Sequence, residues 1–324
     1  MATLRDANPV GVSVHLESLF PGFTQQTVML RDGSTIRTVR CGAGPAVLLL
    51  HGYPQTLAAW HRVAPALVQG GFQVIAADLP GYGAGCLSAH SSSFRLPSRR
   101  AFAATLCELM EALGHVRFAV VGHDRGARAG YRMALDFPDR VAALASLAVV
   151  PTLDAWEAVD GRFAMRAPHW FFFAQPAEML ERLLSVDPTA YLDHVLAGMA
   201  GGLEKLDERA LLDYRMAFAR RQVRAAIFSD YRAALTVDLE DERADRESGR
   251  RIGCPVVYLW GAESAGRDPL EVWRRWAKDV SGAGIDGGHL QPECAPRQVI
   301  EVLVPFLERS LQTMARPSLV RGPV

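Results

Sequence analysis

Lysine is almost missing from this chain. Only Lys205 and Lys278 occur among its 35 basic residues, so nearly all positive charge is arginine and no single arginine is strong evidence of function. An excess of either charge is missing too, since 35 acidic residues balance the basic ones. A nucleic-acid or membrane-surface protein needs a net basic face, and that class is disfavoured. The longest apolar stretch, Val141 to Val150, is interrupted by Ser146 and falls short of the roughly 20 residues a membrane helix needs. Met1 to Phe20 has no basic segment followed by an apolar one, so no targeting signal is expected. The five cysteines, Cys41, Cys86, Cys107, Cys254 and Cys294, form no CxxC pair. Reduced thiols, a cytoplasmic location and no metal site are the expectation.

What is present is an ordinary globular composition, 49% hydrophobic and 22% charged over 324 residues, long enough for a sizeable core. Thr27–Leu30 and Thr35–Arg40 flank Asp32-Gly33, a hairpin signal. Ala46–Leu50, Val74–Ala77 and Phe118–Val121 are continuous apolar runs, the pattern of strands buried on both faces of a parallel sheet. Helical stretches at Leu57–Val68, Arg99–Leu113 and Arg125–Leu135 separate them. This is an α/β chain, a mostly parallel sheet with helices on both faces. From Pro151 to about Arg251 the pattern is helical without a strand, ending in a charge run, Asp238 to Arg251, that reads as a solvated face or loop. Pro255–Trp260, Leu270–Asp279, Gly282–Ile285 and Val299–Leu311 resume the strand and helix alternation. The expected organisation is therefore a core of residues 1–150 and 252–324 with a helical cap at 151–251. Such an insert would lie over the carboxyl ends of the strands, where ligands bind in these sheets.

The most informative stretch is Gly122-His123-Asp124-Arg125-Gly126 after the third apolar run. Strand, Gly-x-nucleophile-x-Gly and helix form a nucleophile elbow, a sharp turn that exposes its middle side chain. That side chain is Asp124 rather than serine. A carboxylate there can displace a leaving group from an sp3 carbon and form an ester. The bland alternative is a tight turn with an acidic helix cap. Upstream, His51-Gly52-Tyr53-Pro54 follows another strand, and its backbone N–H at Tyr53, with that of Arg125, suits an oxyanion hole. Downstream, His289 follows the last expected strand and is the candidate base for hydrolysing the ester. His51 and His123 sit inside the motifs, where an imidazole is usually structural.

These stretches, with Ala77-Asp78-Leu79-Pro80-Gly81-Tyr82-Gly83, Ala127-Arg128-Ala129-Gly130-Tyr131-Arg132, His169-Trp170 and Asp230-Tyr231-Arg232, resemble the haloacetate dehalogenases of the α/β-hydrolase fold, in particular the fluoroacetate dehalogenases. The resemblance runs from about Gln25 to Leu311. It implies a cofactor-free hydrolytic dehalogenase acting on a short 2-haloacid, allows a homodimer, and places His169, Trp170 and Tyr231 around the leaving halide. Arg125 and Arg128 share a face at a helix start, where two guanidiniums can clamp the acid's carboxylate; the family uses these positions so. The family's third triad acid falls on Ala148 here and is missing. Glu263 is the relocated candidate, Asp268 the reserve. Met199 stands where a cap tryptophan is expected, and Gly85-Cys86 replaces a bulkier, more polar pair. An epoxide hydrolase, which would want two cap tyrosines, and a non-catalytic small-acid binder are the rival readings.

Overall fold

The computed structural model describes residues 12–85, 98–262 and 268–312. Eight strands form one sheet in the order β1-β2-β4-β3-β5-β6-β7-β8. They are β1 (Thr24–Met29), β2 (Thr35–Cys41), β3 (Ala46–Leu50), β4 (Gln73–Ala77), β5 (Phe118–His123), β6 (Val141–Leu147), β7 (Val256–Gly261) and β8 (Val280–Ile285). β1 and β2 form the expected hairpin, and β2 pairs antiparallel with β4. All pairings from β4 through β3, β5, β6 and β7 to β8 are parallel. The continuous apolar runs have the physical cause anticipated for them: every residue of β3, β5 and β6 is buried, because helices cover both faces.

Those helices are α1 (Val12–Leu19), α2 (Ala64–Gln69), α3 (Arg99–Ala112) and α4 (Arg125–Asp136) before the insert. Leu57–Val68 is not one helix as expected. Thr56 accepts the Ala58 N–H to cap a short 3-10 turn at Leu57–Trp60, and Pro65 sits in the first turn of α2. Proline has no N–H to continue the earlier turn and its fixed φ suits a fresh helix start. α1 was not legible as a helix; Leu16 and Leu19 bury there, and Arg209 donates to the Ser18 carbonyl.

Between β6 and β7 the chain is helical throughout. The insert contains α5 (Thr152–Glu157), α6 (Gly161–Arg166), α7 (His169–Phe172), α8 (Ala177–Leu184), α9 (Pro188–Ala200), α10 (Glu208–Phe218), α11 (Arg221–Ala233) and α12 (Val237–Glu247). After β7 come α13 (Pro269–Trp276), α14 (Gln291–Cys294) and α15 (Pro296–Gln312). The charge run from Asp238 to Arg251 is the clearest correction. It is largely α12, and Asp238, Glu242 and Asp245 are buried. Each finds donors at depth: Arg99 on Asp238, Tyr131 and Leu153 on Glu242, Arg132 on Asp245. Buried carboxylates require such partners, and a linear sequence does not reveal them. No helix among the described residues is long and apolar enough to cross a membrane.

Candidate active site

The site forms where β5 ends. Asp124 has φ 47° and ψ −113°, a conformation that costs a non-glycine residue about 1–3 kcal/mol. The surroundings impose it. The Asp124 N–H donates to the Leu147 carbonyl at the end of β6 (3.1 Å), and its own carbonyl accepts the Arg128 N–H (3.1 Å) to start α4. Gly126 lets α4 close against β3: a Cβ there would lie 2.3 Å from the Leu50 oxygen. At Gly52 a Cβ would lie 2.6 Å from the Cβ of Asp124, so the loop after β3 approaches Asp124 only because that residue is glycine.

The approach sets the Tyr53 N–H 3.0 Å from Asp124 Oδ1. This is the donor expected from the sequence, and it already holds one carboxylate oxygen. The second expected donor, the N–H of Arg125, opens α4, where helix geometry supplies no intrahelical acceptor. The other oxygen, Oδ2, lies 3.6 Å from His289 Nε2. Burial alone would raise the Asp124 carboxyl. The neighbouring His289, with His123 and Arg125 behind it, holds it well below the usual range instead, so it is an ionised carboxylate at neutral pH.

His289 and Asp124 are brought together. His123 fixes the loop that carries His289, with Nε2 2.8 Å from the His289 carbonyl. A carbonyl only accepts, so His123 carries its proton on Nε2. Burial, reinforced by His289, pushes His123 down to about 3, and it stays neutral. His51 is structural too: Nε2 accepts the Leu79 N–H (3.0 Å) and Nδ1 lies 2.9 Å from the Gly52 carbonyl.

The acid beside His289 is the weak point. Ala148 follows β6 with φ 66° and offers only a methyl group. Asp268, the reserve, is spent elsewhere; it caps α13 at the Leu270 N–H and pairs with Arg274 at the surface. Glu263 lies outside the described residues, as does Cys86. Among the described residues, Asp124 is the one carboxylate within 4.0 Å of the His289 ring. Met199, in place of the expected tryptophan, runs beside the base loop, its carbonyl 3.3 Å from where a Gly288 Cβ would stand. Gly85 instead packs on the backbone of Thr35.

The two arginines are not equivalent. Both are buried. Arg125 is claimed by Asp230, through Nε to Oδ2 (2.8 Å) and Nη2 to Oδ1 (2.5 Å); its Nη1 has no partner among the described residues. Asp230 also takes Arg99 and the Tyr82 hydroxyl. Arg128 has no carboxylate within 4.0 Å among the described residues. Its Nη1 donates to Thr152 Oγ1 (2.8 Å), its face lies over Trp170 (4.9 Å), and its Nε is unpartnered. Of the partners, Asp230 stood in a motif without a role, and Arg99 and Thr152 carried no signal at all.

His169, Trp170 and Tyr231 stand together. His169 stacks on Tyr53 (5.2 Å), and Tyr231 stands edge-on to both His169 (5.6 Å) and Tyr53 (5.4 Å). Trp170 is 6.5 Å from Tyr231. Burial lowers His169 to about 4, with Asp124 acting against it, so the ring is a neutral N–H donor. Burial, aided by the Asp124 charge, raises the Tyr231 phenol well above its usual value. Its hydroxyl keeps its proton and has no partner among the described residues. An ionised carboxylate thus stands near the neutral His169 and Tyr231 donors, and Arg128, one turn along α4, has no direct counter-ion among the described residues.

Comparison with known proteins matches residues 45–292 to the alpha/beta hydrolase fold. A fluoroacetate dehalogenase of Burkholderia sp is 38% identical over 294 residues, covering 89% of this chain and 95% of that protein. A soluble epoxide hydrolase of Corynebacterium sp. (strain C12) is 28% identical, covering 85% of this chain and 94% of that one. A solved Pseudomonas aeruginosa structure, assigned provisionally to the epoxide hydrolases, has a TM-score of 0.86 at 47% identity, covering 91% and 98% of the two chains.

Proposed function

As a member of the α/β-hydrolase family, within its haloacetate dehalogenase group, the chain is a hydrolase, and we propose that it cleaves the carbon–halogen bond of a short 2-haloacid. The observation that carries this reading is Arg128, a buried cation one helical turn after an ionised elbow carboxylate, held by a hydroxyl rather than by a counter-ion. An anionic substrate would be repelled by Asp124 unless a cation held it, and a guanidinium can grip a carboxylate through two bonds.

In the first step Asp124 Oδ2 attacks the α-carbon. The new C–O bond forms as the C–X bond breaks, and the halide leaves with the electron pair. His169, Trp170 and Tyr231 supply N–H and O–H donors to it. In the second step His289 takes a proton from water, and the hydroxide adds to the Asp124 carboxyl carbon. Negative charge develops on Oδ1, where the Tyr53 N–H already stands and the Arg125 N–H can join it. Collapse releases the 2-hydroxyacid, and His289 returns its proton to the departing oxygen. The Asp124 acid, now carrying one oxygen from water, loses its proton to solvent and is restored as the carboxylate, and no cofactor enters.

The epoxide hydrolase reading draws on the names of the Corynebacterium and Pseudomonas relatives. A neutral epoxide, however, gives Arg128 nothing to pair with. The test is halide release from fluoroacetate and chloroacetate, with styrene oxide as control. Wild type should release halide. Asp124→Asn should lower the rate by several orders of magnitude, on the order of the 10⁶ seen when a covalent nucleophile is removed. Near wild-type turnover in that variant would remove Asp124 as nucleophile, and diol without halide would favour the epoxide hydrolase.

A further inference from the structure

Three arginines follow the nucleophile along α4, and two are neutralised where they stand. Arg125 is held by Asp230, and Arg132 by Asp136 and Asp245. Arg128 alone of the three is fixed by a hydroxyl. That hydroxyl begins a chain. An arginine N–H can only donate, so Thr152 Oγ1 is the acceptor there, and its own proton is free for Tyr131 Oη, 2.7 Å away. Tyr131 Oη also accepts the Thr152 N–H at 3.1 Å. Its proton therefore goes to Glu242 Oε1, with which it makes a short bond. The second oxygen of Glu242 accepts the Leu153 N–H at 2.7 Å. Thr152, Tyr131 and Glu242 are all buried.

We infer that Thr152, Tyr131 and Glu242 are positioning residues that set the substrate charge this enzyme accepts, by aiming Arg128 through a directed hydroxyl chain. The inference rests on the reading that Arg128 takes the haloacid's carboxylate. A carboxylate placed directly on Arg128 would compete with the substrate, and a guanidinium with no bonds at all would not hold one geometry. The chain supplies orientation while its own carboxylate, Glu242, stands two hydroxyls away from Arg128. The Arg128 charge is nevertheless felt at Glu242, where it opposes the upward push of burial on that carboxyl. The chain also crosses three elements, α4 of the core and α5 and α12 of the insert, so the orientation of Arg128 depends on how the insert is seated.

The test is a titration with acetate, an unreactive carboxylate, followed by the line width of its methyl NMR signal, alongside melting temperature and chloroacetate kinetics. Thr152→Val should weaken acetate binding about tenfold or more, the scale of a hydrogen bond to a charged group, and raise KM more than it lowers kcat. Thr152→Ser should recover the affinity, and Tyr131→Phe should lose several-fold. A Thr152→Val protein that binds acetate like wild type would overturn the inference. So would a loss that Ser does not rescue and that merely tracks a fall in melting temperature. Wild type that fails to bind acetate would overturn both the inference and the carboxylate reading. Wild type that binds acetate but releases no halide would remove the dehalogenase reading and leave the positioning chain standing.

Discussion

Ala148 is the residue whose chemistry least fits its place. Its left-handed φ of 66° costs an alanine about 1–2 kcal/mol, whereas Asp and Asn tolerate that region several-fold better. Alkylation of Asp124 needs no base, because the carboxylate is already ionised. Hydrolysis of the ester needs His289, and an unsupported triad histidine loses on the order of 10⁴ in rate. If Ala148 leaves His289 without an acid, one fast equivalent of halide should be followed by slow turnover, with the carboxymethyl mass visible on the intact protein. Ala148→Asp should then speed the slow phase without lowering the melting temperature. If Glu263 serves instead, wild type should show no burst, Glu263→Gln should create one, and Ala148→Asp should change little.

Between elements, one buried pair ties the two loops that carry the oxyanion donor and the base. Gln55, two residues beyond Tyr53, donates to the Glu293 carboxyl in α14, four residues beyond His289. Arg62 clamps the same turn by donating to the Glu293 carbonyl at 2.6 Å. Burial raises Glu293 to about 8 from its ordinary 4.5, while Tyr214, Arg62 and Gln55 act against the rise. The native protein therefore holds a proton that the unfolded chain releases above pH 4.5. Its contribution to stability is full below that point and is lost as pH rises toward about 8. Glu293→Gln mimics the protonated acid and keeps the Gln55 bond. Urea midpoints measured across that window should show the variant gaining on wild type as pH rises. A constant gap would mean that Glu293 is ionised throughout.

Across the whole molecule, the insert is fastened to the core by buried charge rather than by apolar packing alone. Asp230 on α11 gathers Arg125 from α4, Arg99 from α3 and the Tyr82 hydroxyl from the loop after β4. Removing the carboxylate leaves two buried cations without it, and breaking such a pair costs about 3–5 kcal/mol. Asp230→Ala should lower the free energy of unfolding by that amount, read from chemical denaturation. Because Arg125 also faces the nucleophile, activity should fall even at temperatures where the variant remains folded. A loss of activity that only follows unfolding would reduce Asp230 to a structural fastener.

The chain by itself determined the sheet, the elbow and most of the candidate site residues, because those depend on neighbours in sequence. Continuous apolar runs of four to seven residues bounded by turn signals suit strands covered on both faces. Gly122 and Gly126 frame a turn that forces Asp124 outward, and Arg125 and Arg128 fall on the same helix face by spacing alone. The resemblance to the haloacetate dehalogenases is what made the missing acid at Ala148 visible. Tertiary structure decided how charge is shared. Arg125 meets Asp230 across 105 residues, and Tyr131 meets Glu242 across 111. Composition could not tell that Glu242 leaves water, so the run from Asp238 to Arg251 read as a solvated face. A charged side chain is solvated or buried according to what lies opposite it, and only the folded chain brings Tyr131, Arg99 and Arg132 to those carboxylates.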